Sequence, residues 1–303
     1  GNDLFVATDT KHNQYWVSQA DSGNPENVLK EGSLVYGCGA GRMGERQGSM
    51  GIASGDFDRN GFIDLHVTNF WNQPADLFMQ LPTGLFGNKN ANRGLYKNTH
   101  QTVAWGTQAV DFDRDGWLDL VVLNGHVTDH RHLGQPLEME PQLFGGKTDG
   151  FHLIDPTSLG DPYWEDPKLG RIVVNLDWNG DRRTDLVVNH LEAPAALLEN
   201  QTEGGDSISF ELSGVTSERD AIGAKLSIEC NDLHLTQWVT GGDGLLCTNE
   251  AVVEFGLGNA SEATGTIDRL KVHWPSGLQQ IFTAPKVNCR YLIVEGQPTL
   301  FKR

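Results

Sequence analysis

Apolar residues along this chain arrive in short runs, "DLFVAT", "LDLVVL" and "TDLVVN" among them, each broken by glycine, Asn or Asp. Runs of that length between turn-forming residues predict short β-strands, and no helical periodicity lasts longer than two turns. The pattern therefore predicts an all-β fold. Near residues 203–220, "EGGDSISFELSGVTSERD", the character changes, and alternating strands follow in "AKLSIEC", "LHLTQWVT", "AVVEFGLG", "DRLKVHW" and "RYLIVEG". Two domains are expected, residues 1–205 and a smaller β-sandwich-like unit of about five strands over 206–303.

The first of these is repetitive. "DFDRNGFIDL" begins at Asp56, "DFDRDGWLDL" at Asp111 and a looser "DWNGDRRTDL" at Asp177, each leading into an apolar strand. The closing aspartates Asp64, Asp119 and Asp185 recur after about 55 and then about 66 residues, a period that suits four-stranded propeller blades with insertions. "GNDLFVATDT" matches the second half of the same unit and puts Asp3 in the place of Asp64. Three complete units and a partial one fall short of the usual blade count, so the expected propeller is incomplete within these residues.

Charge changes the picture next. Lys and Arg number 23 against 40 Asp and Glu, a net charge of −17. Nucleic acid and anionic membrane surfaces need a basic footprint, so neither is an expected partner. Membrane insertion is not expected, because no run of 18 apolar residues occurs, and the first ten residues lack the basic and apolar segments of an export signal. Such a signal would have to lie upstream or have been removed. The cysteines Cys38, Cys230, Cys247 and Cys289 have no CxxC spacing; they read equally as four small buried hydrophobes or as disulfide formers, in which case a hairpin could bring Cys230 to Cys247, with Cys289 as the competing partner.

Crowded carboxylates ask for a cation. Counted from the first Asp, the first loop offers Asp56, Asp58, Asn60 and Asp64 at positions 1, 3, 5 and 9, with the Phe62 carbonyl at position 7. The second offers Asp111, Asp113, Asp115 and Asp119 with the Trp117 carbonyl, and the third Asp177, Asn179, Asp181 and Asp185 with the Arg183 carbonyl. Calcium takes six to eight oxygen ligands, and alternate positions of a tight loop turn toward one centre; zinc would want His or Cys, and magnesium keeps its waters. Position 12, where an EF-hand carries a bidentate Glu, is Val67 or Val122, so these are calcium loops that feed strands. Acidic turns without an ion are the plainer alternative. The third loop has Gly180 at position 4 and Arg182 at position 6, where the others have Gly61 and Gly116, and is expected to hold its ion least firmly.

"GSMGIASGDFDRNGFIDLHVTNF" and "WGTQAVDFDRDGWLDLVVLNGHV" resemble the FG-GAP/VCBS repeats of integrin-α-like propellers and of the cartilage-acidic-protein family. "RDAIGAKLSIE", "FGLG", "VHWPSG" and "VEG" resemble the ASPIC/UnbV domain that follows those repeats in that family. The resemblance covers nearly the whole chain. It implies a calcium-loaded β-propeller followed by an ASPIC/UnbV module, secreted, cell-surface or periplasmic, with a role in adhesion or matrix contact and no catalytic residues attached to the motif.

Two further clusters could carry chemistry. "NGHVTDHRHLGQ" brings His126, Asp129, His130 and His132 together, a possible zinc or copper site or simply a polar loop, the latter favoured. "YWEDPKLGR" could present an aromatic platform to sugars, although core packing is the more common use of such residues. No nucleophile elbow or phosphate-binding loop occurs. The expected function is therefore calcium-dependent binding to a carbohydrate or an extracellular protein. A polysaccharide lyase with a base such as His126 is the alternative.

Overall fold

In the computed structural model, which describes residues 2–19, 29–261 and 264–303, the chain is all-β with only short helical turns. The first strands are β1 (Leu4–Val6), β2 (Asp9–Lys11), β3 (Gln14–Ser18), β4 (Leu29–Glu31) and β5 (Gln47–Gly48). β1, β3 and β4 form one sheet, and β2 pairs with β5. Two four-stranded antiparallel meanders follow. One is β6 (Ile52–Gly55), β7 (Asp64–Val67), β8 (Asp76–Gln80) and β9 (Phe86–Asn88); the other is β10 (Ala104–Val110), β11 (Asp119–Asn124), β12 (Gln142–Lys147) and β13 (Gly150–Leu153). A three-stranded sheet, β14 (Leu169–Leu176), β15 (Asp185–Leu191) and β16 (Ala196–Leu198), completes the series.

These sheets pack face to face, which is why β7 and β11 are buried on both faces. Every residue of β7 and of β11 is buried. Neighbouring sheets meet at their first strands, where small residues let backbones approach: a Cβ on Gly51 would stand 2.2 Å from the Trp105 carbonyl oxygen, and one on Gly106 2.7 Å from that of Arg171. Polar side chains tie the same seams. The Thr68 hydroxyl donates to the Trp105 carbonyl at 2.6 Å, and the Gln108 amide donates to the Val173 carbonyl at 2.9 Å.

Among the described residues the C-terminal part holds eight strands, not the roughly five that the alternating runs predict. They are β17 (Asp206–Ser213), β18 (Lys225–Cys230), β19 (Leu233–Trp238), β20 (Val253–Gly258), β21 (Arg269–His273), β22 (Gln279–Thr283), β23 (Cys289–Val294) and β24 (Phe301–Lys302). They build two four-stranded sheets, in the orders β20-β17-β23-β24 and β19-β18-β21-β22, with β17 parallel to β23. Alternating burial along β18 and β23 turns one face of each sheet inward, onto a core with Phe210, Phe255, Leu226, Ile228 and Ile293. The strand pattern missed β22 because only Phe282 of its five residues is buried.

The C-terminal domain is seated on the repeated sheets. Between β19 and β20 the chain runs along their first strands: Gly244 and Ile52 exchange backbone hydrogen bonds, Asn249 and Gln108 exchange side-chain bonds at 2.8 and 3.0 Å, and the Glu250 amide donates to the Asn175 carbonyl.

The expected disulfide is corrected here. All four cysteines are free; Cys230 lies in the C-terminal core, whereas the Cys247 sulfur faces the Val173 carbonyl at 3.5 Å. Cys247 belongs to the segment laid against the other domain and not to a hairpin with Cys230.

Candidate metal centre

Each Asp-rich loop is the turn between the first and second strands of a sheet. In register, Asp64 faces Gly55, Asp119 faces Val110 and Asp185 faces Leu176. The closing aspartate fastens the turn. Asp64 accepts from the amides of Phe57 at 2.9 Å and Gln80 at 2.7 Å, Asp119 from Phe112 at 3.1 Å and Gly146 at 2.8 Å, and Asp185 from Trp178 at 2.9 Å and Asn200 at 2.7 Å. One oxygen holds the loop and the other the next strand. Asp3 accepts from the Ser18 amide at 2.8 Å in the same relation, so the sequence match of "GNDLFVATDT" is also a match of hydrogen bonding.

Positions 1 and 5 repeat as strictly. Asp56, Asp111 and Asp177 each accept from the amide of position 6, at 2.8, 2.8 and 3.0 Å. Asn60, Asp115 and Asp181 each accept from the amide of position 7. The third loop's different sequence leaves its backbone unchanged. Positions 4 and 6 are left-handed in all three loops, as Arg59, Arg114 and Gly180 and then Gly61, Gly116 and Arg182. The third loop has exchanged which of the two carries glycine.

What differs is where the carboxylates point. Among the described residues, oxygens of Asp56, Asp58 and Asp64 converge within 4.8 Å of one another, and so do those of Asp111, Asp113 and Asp115. Asp119 stays at its strand and does not join the second group. The third loop gathers no such set: Asp181 is held by the Arg183 guanidinium at 2.7 and 3.0 Å, and the Asn179 amide donates to it at 3.0 Å. Val67 and Val122, at position 12, are buried in the core, as the departure from an EF-hand requires.

Burial strains the converged carboxylates electrostatically. It pushes Asp56 up to about 6, Asp64 up to about 8 and Asp119 up to about 7, despite the amides that favour their charged forms. Asp111 is raised well above the usual range by burial and then by its acidic neighbours. Burial of unneutralised acids is unfavourable. An inward oxygen of Asp58 is buried with no hydrogen-bond partner. The donor set consists of hard oxygens, with the carbonyls of Phe62 and Trp117 at position 7 of the same turns, and fits calcium better than a metal that wants nitrogen or sulfur.

Other candidates resolve differently. His126 is only 1% exposed; its Nε2 lies 3.0 Å from Gln135, and its Nδ1 accepts from the amides of Val127 and Thr128, so neither nitrogen is left for a metal or for proton abstraction. Tyr163 and Trp164 pack on the core of the third repeat. Arg59 and Arg114, at position 4 of the first two loops, went unremarked in the sequence, although their recurrence was a signal. Arg59 lies 3.6 Å above the Trp117 ring and donates to the Asp115 carbonyl, and Arg114 donates to the Arg182 carbonyl, so each loop reaches the next. A cavity of about 320 Å³ opens between the loops and the C-terminal domain, with Asp111, Asp177, Asp243, Glu254 and Trp238 in its wall. No helix of the described residues is long and apolar enough to cross a membrane.

Comparison with known proteins identifies the C-terminal part. Residues 214–300 match the family described as ASPIC and UnbV. The chain is 29% identical over 246 residues to cartilage acidic protein 1 of Xenopus tropicalis, covering 78% of this chain and 35% of that protein. It is 28% identical over 273 residues to cartilage acidic protein 1 of Homo sapiens, covering 85% and 38%. The chain thus spans little more than a third of the length of these relatives. It carries an ASPIC/UnbV domain behind its repeated sheets and is similar to cartilage acidic protein 1.

Proposed function

We propose that the chain is an extracellular, non-catalytic binding module whose repeated loops hold calcium. The observation that carries this is the convergence of three carboxylates in each of two loops built to one hydrogen-bonding plan. In the first loop Asp56, Asp58, Asn60, Asp64 and the Phe62 carbonyl would surround the ion; in the second, Asp111, Asp113, Asp115 and the Trp117 carbonyl would, with Asp119 joining only by leaving the Phe112 and Gly146 amides. Oxygen distances of about 2.3–2.6 Å are expected. The third set, Asp177, Asn179, Asp181, Asp185 and the Arg183 carbonyl, binds more weakly, because an ion there must first draw Asp181 away from Arg183. The sheets then act as blades of a calcium-stabilised propeller of the FG-GAP/VCBS kind.

A secreted or cell-surface setting agrees with this reading, since extracellular calcium suits sites of modest affinity, and with the relatives' name, which refers to cartilage and to acidity. The partner class is carbohydrate or extracellular protein. Isothermal titration calorimetry tests the ion: two firm calcium sites are expected, one of them lost in Asp111→Ala/Asp113→Ala, with magnesium much weaker. Absence of calcium binding at millimolar concentration would remove the proposal. Incubation with pectic and alginate polymers is expected to give no unsaturated, ultraviolet-absorbing product.

A further inference from the structure

We infer that calcium in the second loop, Asp111–Asp119, controls how firmly the C-terminal domain is seated on the repeated sheets. The inference rests on the calcium reading above and goes beyond it, because it assigns the ion a partner surface within the chain.

The loop has two faces. Asp111, Asp113 and Asp115 gather their carboxylates about one centre, with Asp113 and Asp115 exposed and Asp111 against β20, while main-chain groups of the same loop also meet the other domain. The Asp113 carbonyl accepts from the Gly205 amide at 3.3 Å, and the Arg114 carbonyl accepts from the Gly258 amide at 2.7 Å. The Arg114 guanidinium lies 3.6 Å from Glu254 of β20. Between these contacts β20 comes so close that a Cβ on Gly256 would stand 2.0 Å from an Asp111 carboxylate oxygen and 2.6 Å from the Arg114 Cα. Asp113, a proposed ligand, thus holds the entry to β17 by its main chain, and Arg114, between the ligands Asp113 and Asp115, holds the end of β20.

The flanking loops touch the same domain through single contacts, each made to a side chain of that domain. Lys225 of β18 donates to the Gly61 carbonyl at 2.7 Å, and Glu254 accepts from the Thr184 hydroxyl at 2.9 Å. The second loop alone offers two main-chain carbonyls, whose aim depends on the left-handed turn at Arg114. With calcium, the three carboxylates share one centre and the turn is fixed. Without it they repel across a few ångströms, the turn opens, and both carbonyls lose their aim. Coupling of this kind is reciprocal: whatever loosens the seating must also weaken calcium at this loop.

Hydrogen exchange on the whole chain, with calcium chloride and then with a chelator, reads the effect directly. Peptides containing the Gly205 and Gly258 amides are expected to exchange roughly tenfold faster after chelation, while the β18–β21 pairing inside the C-terminal core keeps its protection. Arg114→Met supplies the reciprocal arm. Loss of a positive charge beside the carboxylates would by charge alone tighten calcium, whereas loss of the Glu254 contact weakens it, and roughly threefold weaker binding at the second loop is expected. Confirmed calcium binding with unchanged exchange at Gly205 and Gly258, or unchanged or tighter binding in Arg114→Met, overturns the inference and leaves the calcium sites standing. Absence of calcium binding removes both.

Discussion

Glu295, just past β23, shows how a single residue can hold a domain corner together. Its carboxylate is buried and accepts from the amides of Val215, Thr216 and Ser217, each at 2.7 Å, and from the hydroxyls of Ser217 and Ser276. Burial pushes this group up, but the Ser276 hydroxyl and the amides outweigh it and hold the carboxyl at about 2, below the ordinary 4.5. Because the folded value is depressed, the stabilisation is complete above the unfolded value and is lost as pH falls from about 4.5 toward 2. Glu295→Gln should therefore lower the urea midpoint at pH 7 by the equivalent of about 1–3 kcal/mol, the cost of buried amides left poorly paired. It should also flatten the acid limb between those values, measured as midpoint against pH; an unchanged acid limb would contradict this assignment. The thiols are a second residue-scale test. Non-reducing mass spectrometry should find four free cysteines, with half-buried Cys247 alkylated first in the native protein.

At the scale of elements, the aromatic at position 2 of each loop reports what covers its sheet. Phe57 is 5% exposed and packs against Phe151 of the following sheet, and Phe112 packs on the core of the third repeat. Trp178, the equivalent residue of the third loop, is 63% exposed. Phe57→Ala should cost about 3–5 kcal/mol, whereas Trp178→Ala should change stability by no more than about 0.5 kcal/mol in this chain. Gly106→Ala should destabilise by about 1–3 kcal/mol, because its neighbours at the seam are backbone atoms that cannot rotate away. Chemical denaturation measures all three. Sequence reading found the elements whose burial is local and repeated: "DLVVLN" reads as a strand because both its faces are covered, and the loops announce themselves by spacing. It missed β17, whose partner β23 is distant in the chain, and β22, with one inward residue. In the third loop, left-handed geometry at positions 4 and 6 survives an exchange of Gly and Arg that the letters alone make look like a different turn.

For the whole molecule, the sequence suggested two modules in series, and the structure joins them. The segment "TGGDGLLCTNE" lies along β6, β10 and β14 through contacts far apart in sequence. Its role had no local signature. The acidic loops lie between the two modules, so an ion bound there would act on both, and a net charge of −17 would become less repulsive with each one bound. Each occupied site should add about 2.7 kcal/mol at a hundredfold excess of calcium over Kd. The most direct measurement is thermal unfolding of the intact chain in chelator, in millimolar magnesium and in millimolar calcium. If calcium holds the loops, the melting temperature is higher by roughly 5 °C or more in calcium than in chelator, with little recovery in magnesium and about half the gain lost in Asp111→Ala/Asp113→Ala. Equal melting temperatures in chelator and calcium would contradict it.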